Sequence, residues 1–283
     1  GVGGAVVLLG VMFGGRKALA APPTWPSARE VWVQDFEGGG IGEFWEDHGE
    51  GHVSVSSEAA LGGSGGGLSV DVSGEGQFYL QRYNLDEWPH LEFPRDTYFE
   101  FRFDPNGVSI PEGEAVSLIR LRDGDWNVLA GVRLQESPGG GSYELLLELP
   151  DGSFDGVALE IDDEPQVLTL RCRPDDWVGL WVDGVGERVV DGVEHGVSFV
   201  QVLLVGKTEG TWSGETPSGR VFFDDITLLY ATYPELWVDP ETGDDSAEGN
   251  SPDAPLKSVG AAALLVGPGT VVHLAPGDYR EAL

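Results

Sequence analysis

Three sets of side chains in this 283-residue sequence have types and spacings that could do chemistry. The first is a pair of acidic clusters far apart in the chain, Asp35-Phe36-Glu37 and Asp224-Asp225. Each borders an apolar run of the kind that forms a strand. If the first and last strands of a sheet lie side by side, carboxylates from both converge on one point. A Ca2+ ion, which takes about six to eight oxygen ligands, suits such a set. Its role would be structural, tying together the two ends of a domain. Solvated edge charge with no site is the alternative. The second set is Glu160-Ile161-Asp162-Asp163-Glu164, with a carboxylate at every second position. On an unbroken strand Glu160, Asp162 and Glu164 would share one face. Asp163 would then point a charge into the core, which is costly, and Pro165 would end the ladder. A turn over Asp162–Pro165 is the better reading. The third set is aromatic: Trp45, Trp88, Trp126 and Trp212. Flat indole rings stack on sugar faces while amide and acidic neighbours bond hydroxyls. Trp126, between Asp125 and Asn127, and Trp212, between glycines, are loop-borne. Packing at the edge of a core is the other role open to each.

Other chemistries find no support. The five histidines show no metal-ligand spacing, so zinc is not expected. No nucleophile elbow or phosphate-cradling loop occurs, and the Gly-rich stretch 62–67 lacks a following helix. Net charge is −32, from 48 acidic and 16 basic residues. Such a surface repels nucleic-acid phosphates and anionic lipid headgroups and favours cations. It would also suit a salty medium, where repulsion is screened within about 10 Å. Cys172 is the single cysteine, so no internal disulfide can form. It reads as a small core residue.

The elements that must position these groups are short strands. In the stretch 166–185, Leu168, Leu170 and Cys172 alternate, then Val178, Leu180 and Val182. Between them stands the turn Arg173-Pro174-Asp175-Asp176, and Asp183-Gly184 closes the second run. About a dozen such runs with regular turn signals lie between residues 30 and 230, as in an all-β, antiparallel sandwich. Residues 1–21 hold the apolar run Ala5–Phe13 and the small-residue pattern Ala18-Leu19-Ala20, expected of an export signal. Arg16 and Lys17 after the run leave a membrane anchor as the alternative. Residues 22–29 are a Pro-rich spacer. From about residue 236 the character changes to strand, acidic loop, helix (256–265) and strand (270–274).

The Leu-Trp-Val-Asp-Gly hairpin at 180–184 resembles that of concanavalin A-like, laminin-G-like jelly rolls. The opening Asp35-Phe36-Glu37 and closing Asp224-Asp225 resemble the calcium-bearing ends of such domains. The 160–164 stretch resembles the E-x-D-x-E signature of laminarinase-like glycoside hydrolases. That likeness would make one carboxylate a nucleophile, one an orienter and one an acid–base. The tail resembles the opening of pectate-lyase-like right-handed parallel β-helices. The matching pieces are Val238-Asp239, Gly243-Asp244-Asp245, Pro255-Leu256-Lys257-Ser258-Val259 and Ala275-Pro276-Gly277-Asp278-Tyr279. The resemblance implies a sandwich over 30–232 and the cap and first rung of a solenoid over 236–283. One rung cannot bury a core, and about three are needed, so a longer protein is expected. Asp239, Asp244 and Asp245 would hold Ca2+ or cap a turn. The expected function is non-catalytic glycan binding by a secreted or cell-surface protein that degrades polysaccharide, with no membrane insertion after processing. A calcium-stabilised adhesive module and a glycoside hydrolase are the alternatives.

Overall fold

Leu168, Leu170 and Cys172 face Val182, Leu180 and Val178 across an antiparallel ladder, so the hairpin expected from period-2 alternation is formed. The structure, a computed structural model, describes residues 28–42, 45–49, 51–82, 97–150, 152–153, 158–173, 177–184, 186–191, 193, 202–209, 215–231, 233–266 and 270–280. The expected leader or anchor at 1–21 and the spacer up to residue 27 lie outside these. Among the described residues no helix is long and apolar enough to cross a membrane.

In chain order the strands are β1 (Ala28–Gln34), β2 (Glu46–Asp47), β3 (Val53–Ser56), β4 (Gly67–Asp71), β5 (Phe78–Arg82) and β6 (Thr97–Asp104). There follow β7 (Val116–Arg122), β8 (Val128–Glu136), β9 (Tyr143–Glu148), β10 (Leu159–Ile161), β11 (Gln166–Arg173) and β12 (Trp177–Val182). The set closes with β13 (Gly186–Asp191), β14 (Val202–Lys207), β15 (Arg220–Ala231), β16 (Glu235–Val238), α1 (Val259–Leu265) and β17 (Val271–Leu274). Two antiparallel sheets result. One has eight strands in the order β13-β12-β11-β6-β15-β4-β3, with β1 also on β15. The other has seven, in the order β10-β9-β8-β7-β14-β5-β2.

Both sheets turn alternate residues into one apolar layer. Phe99, Phe101, Phe103, Leu168, Leu170, Cys172 and Phe223 come from the eight-stranded sheet, and Leu80, Leu121, Val132, Leu145, Leu147, Leu203 and Val205 from the seven-stranded one. This is a sandwich-like packing of two half-buried sheets. Asp183 and Gly184, at positive φ of 50 and 65, make the tight turn between β12 and β13. β1 stops at Gln34, just before the Asp35-Phe36-Glu37 cluster. Phe36 takes a positive φ of 55 and drops its ring into the core, which breaks the extended run.

β15 changes partner partway along. Its first part pairs with β4, from Arg220 to Phe223, and its second with β1, from Ile226 to Ala231. The register against β6 slips between Asp224 and Thr227. In the tail, β16 and β17 pair in parallel, with α1 between them in sequence. Leu236, Val238, Leu256, Ala261, Ala262 and Leu265 form a small core of their own. Ser258 caps α1, its hydroxyl accepting from the Ala261 amide at 3.0 Å. The expected helix start at Leu256 therefore moves to Val259.

Candidate functional site

The first and last strands of the sandwich do lie side by side, and the acidic clusters expected to hold calcium meet at the irregularity in β15. There they bind protein atoms. Asp224 is fully buried, and its Oδ2 accepts from the Leu61 amide at 2.9 Å and from the Ser64 hydroxyl. Its Oδ1 accepts from the Asp225 amide at 2.9 Å. Burial pushes the Asp224 carboxyl up, while these hydrogen bonds pull it back down. Glu37 Oε1 accepts from the Gly65 amide at 2.6 Å, and Asp35 Oδ1 from the Glu37 amide at 3.2 Å. Asp225 Oδ2 takes the Arg102 Nε proton at 2.7 Å. As arranged, the set fastens the 61–65 loop into the gap between β4 and β1 rather than presenting an oxygen cage. Among the described residues no group of three or more His, Cys, Asp or Glu is placed to hold a metal ion.

The 160–164 carboxylates do not share a strand face. β10 ends at Ile161, which is buried, and only Glu160 lies in the strand, paired with Glu144. Asp162 and Glu164 sit in the exposed turn that leads to β11. Asp163 does not enter the core; its Oδ1 accepts from the Gly107 amide at 2.7 Å. In the tail, Asp239 accepts from the Glu241 and Thr242 amides, and Asp244 from the Ser246 amide and hydroxyl. Asp245 accepts from the Lys257 and Ser258 amides, so all three stabilise turns.

The tryptophans divide. Trp45 is 6% exposed and packs in the main core, its Nε1 donating to Gln34 Oε1 at 3.3 Å. Trp88 and Trp212 lie outside the described residues. Trp126 is 42% exposed at the tip of the β7–β8 hairpin. Asp123 builds that tip. Its Oδ1 accepts from the Asp125 and Asn127 amides at 2.9 and 2.8 Å, and its Oδ2 from Asn127 Nδ2 at 2.8 Å. The backbone closes through Trp126 N to Asp123 O at 3.2 Å and Asp123 N to Asn127 O at 3.1 Å. Trp126 is held at a positive φ of 68, an unusual conformation for so bulky a residue. Arg122 Nη1 donates to the Trp126 carbonyl at 3.1 Å, and its guanidinium carbon lies 5.5 Å from the indole centroid.

Beside this tip lies the outer face of the seven-stranded sheet, which was not anticipated as a site. Leu203 and Val205 of β14 belong to the main core, so Val202 and Leu204 point the other way. Cα partners then trace one row across six strands: Glu46, Gln81, Leu204, Arg120, Gly131 and Glu148. Arg120 and Glu148 make a buried two-point ion pair across β8, Nε to Oε2 at 2.8 Å and Nη2 to Oε1 at 2.7 Å. Gly131 makes this possible, since a Cβ there would sit 2.5 Å from Glu148 Oε2. Arg120 Nη2 also meets Glu209 Oε2 at 3.2 Å, and Arg133 Nη2 bonds Glu209 and lies 3.5 Å from Glu148 Oε1. These carboxylates hold the Arg120 guanidinium above its ordinary range against the opposing pull of burial. Arg122, beside them, is shifted down by burial and by Arg120. The signal for this face was in the sequence: Arg120 interrupts the apolar run 116–121, Glu148 follows three leucines, and Gly131 sits inside a strand.

Comparison with known proteins adds little to this geometry. Residues 241–283 match a family described as a protein of unknown function (DUF1565). No curated protein matches the chain. Among solved structures, it is similar to a conserved carbohydrate esterase from the Shiga toxin-encoding bacteriophage phi24B, with 17% identity, a TM-score of 0.48, and 73% of this chain and 100% of that one covered. It is similar to the cellulose induced protein Cip1 at 16% identity and a TM-score of 0.48, covering 70% and 96% of the two chains. Botulinum neurotoxin type C is similar at 9% identity and a TM-score of 0.45, with 66% of this chain matched. The present chain spans 43% of that toxin chain.

Proposed function

We propose that the sandwich is a non-catalytic glycan-binding module of the concanavalin A-like type, with Trp126 as its stacking platform. The observation that supports this reading is the fixed, exposed indole at the rim of a polar sheet face. A hairpin tip closed by Asp123 presents a flat apolar ring with little ordering left to do on binding. A pyranose face would stack on the ring, and the neighbouring Arg and amide groups would bond its hydroxyls. Glu160, Asp162 and Glu164 take no part.

The tail is proposed to open a right-handed parallel β-helix. The parallel pair β16–β17, joined through α1, supports this. Parallel strands are ordinarily buried, yet Val271 and Leu274 of β17 are each 53% exposed. A next rung would cover them. In that reading the sandwich holds a β-helix with its own chemistry on a polysaccharide, outside the cell.

Affinity electrophoresis of the 283-residue chain in gels containing soluble polysaccharides tests the module. Trp126→Ala should weaken retardation at least tenfold, about 1.4 kcal/mol. As a surface change it should alter stability by only about 0.5 kcal/mol. No retardation in any polysaccharide, with a melt that chelator lowers, would replace the proposal by a calcium-stabilised structural module.

A further inference from the structure

On the outer face of the eight-stranded sheet lies a cavity of about 260 Å3, with Val33, Glu100, Arg102, Val167, Asp225 and Thr227 in its lining. It forms where β15 changes partner. β15 leaves β4 at Phe223 and joins β1 at Ile226, and its register against β6 slips between Asp224 and Thr227. An irregularity of this kind re-aims side chains. Asp224 turns into the protein and is fully buried, whereas Asp225, at a positive φ of 49, stands at the surface. Few residues other than glycine take that conformation, and those that do gather at functional sites.

Beside the irregularity, Cα partners trace the row Val33, Thr227, Glu100 and Thr169 across β1, β15, β6 and β11. Three strand spacings make this roughly 14 Å. The row is closed toward β12, where Thr169 and its partner Trp181 are both buried. It is open toward β1. Val33 is 38% exposed, and the side chains of Arg102 and Asp225 are each 39% exposed, so solvent reaches the cavity.

The lining keeps donors and acceptors for a ligand. Arg102 is fixed by its Nε bond to Asp225 Oδ2 at 2.7 Å, and its guanidinium packs on Gly62, where a Cβ would sit 2.6 Å from Cζ. That contact uses Nε and leaves the four Nη protons. Thr227 Oγ1 donates to the Asp225 carbonyl at 3.1 Å and keeps its lone pairs. Desolvation pushes the Glu100 carboxyl up, against the pull of Arg102 and the Thr169 hydroxyl.

This mixture selects a chemistry. An ammonium group would meet the Arg102 guanidinium, and an anion would meet Glu100 and Asp225. An apolar ligand would strip water from all three charges. A hydroxyl both donates and accepts, so adjacent hydroxyls on one ring serve a carboxylate and a guanidinium together. The C–H faces of the same ring would lie against Val33 and Val167. The volume is a little below the about 300–1,000 Å3 of sites for drug-sized ligands, which suits one sugar ring and not a chain.

We propose that this cavity is a second glycan site, seating one neutral pyranose by adjacent hydroxyls held between Glu100 and Arg102. It lies on the other sheet from the Trp126 hairpin and goes beyond the module proposed there.

The test is saturation-transfer NMR titration of the 283-residue chain with methyl glycosides of glucose, galactose and mannose, and with the amino sugar and uronic acid of each. At least one neutral glycoside should bind, at least tenfold more tightly than its charged counterparts. Glu100→Gln and Arg102→Ala should each weaken that binding at least tenfold. Glu100→Gln guards against misfolding, because it removes a desolvated charge, and it should melt no lower than the parent. Unchanged binding in both variants overturns the site. Loss in Trp126→Ala alone assigns the sugar to the hairpin, which also overturns it and leaves the first module standing. An amino sugar or uronic acid bound as tightly as the neutral glycoside overturns the neutral class. No binding of any glycoside, with polysaccharide retardation intact, overturns the cavity and spares the Trp126 module. With retardation absent as well, both readings fall.

Discussion

The two sheets share one core but treat their outward faces differently. On the eight-stranded sheet, Trp181 lies across Gly179, where an added Cβ would sit 2.4 Å from the indole. Trp177 meets Trp181 edge-on at 6.2 Å, and the Arg171 guanidinium lies 4.4 Å from the Trp177 ring. Rings and cation close that face from within, and its Arg102–Asp225 pair stands half in solvent. On the seven-stranded sheet, Gly131 clears space for an ion pair, and the face keeps buried donors that the chain does not satisfy. The same device, a glycine inside a strand, thus lays down an aromatic in one sheet and lets opposite charges meet in the other.

The largest effect should come from Glu148→Ala, which leaves the buried Arg120 only the more exposed Glu209 as a carboxylate partner and should cost about 3 kcal/mol in urea melts. Next, Gly131→Ala should cost about 1–3 kcal/mol by crowding Glu148. In a double-mutant cycle that cost should fall in the Glu148→Ala background, leaving the part due to the Ile119 carbonyl oxygen 3.0 Å from the new Cβ, whereas the cost of Gly179→Ala should persist there in full. Additive behaviour at Gly131 would mean that the glycine serves the backbone and not the ion pair. A smaller contrast lies in alkali. Burial lowers Lys207, at the end of β14 in the seven-stranded sheet, to about 8, and raises Cys172, in the eight-stranded sheet, to about 12. Between about pH 8 and the ordinary lysine value of 10.5 the unfolded chain holds more protons at Lys207, so this residue makes stability rise with pH. Between 9 and about 12 the folded chain keeps the Cys172 proton that the unfolded chain loses, so stability falls. Melts across this range should lose the rise in Lys207→Met and the fall in Cys172→Ala. Smallest of all, Arg102→Ala should cost under about 1 kcal/mol, because its ion pair is exposed and screened. A loss there equal to that of Glu148→Ala would erase the distinction between the faces.

Strands with clean alternation were legible, and so was the Gln166–Val182 hairpin, because one buried face imposes a period that sequence displays directly. The adjacency of first and last strands was also legible, and the acidic clusters did meet there. Their use was not. A carboxylate that will accept backbone amides looks the same in sequence as one that will hold a cation, and Leu61, Ser64 and Gly65 lie far from Asp224 in the chain. β5 is hard to read from sequence, because residues on both of its faces are buried and little contrast remains. The Arg120–Glu148 pair spans three strands, and only the register reveals it. Trp126 was found because a tryptophan between Asp and Asn has nowhere to go but a turn.

β15 also sets the order in which this molecule can be made. The last strand of the sandwich lies inside its sheet, holding β6 on one side and β4 and β1 on the other. β1 leaves the ribosome first and must wait through roughly 190 further residues for its partner, on the order of 10–40 s of synthesis. Until then β4 has only β3 beside it, and the seat for Phe36 and the 61–65 loop does not exist. Such distant pairings are slow to form and leave edges open meanwhile. The eight-stranded sheet is therefore completed all at once, when residues 220–231 arrive, and a nascent chain released before that point carries a sheet without its keystone.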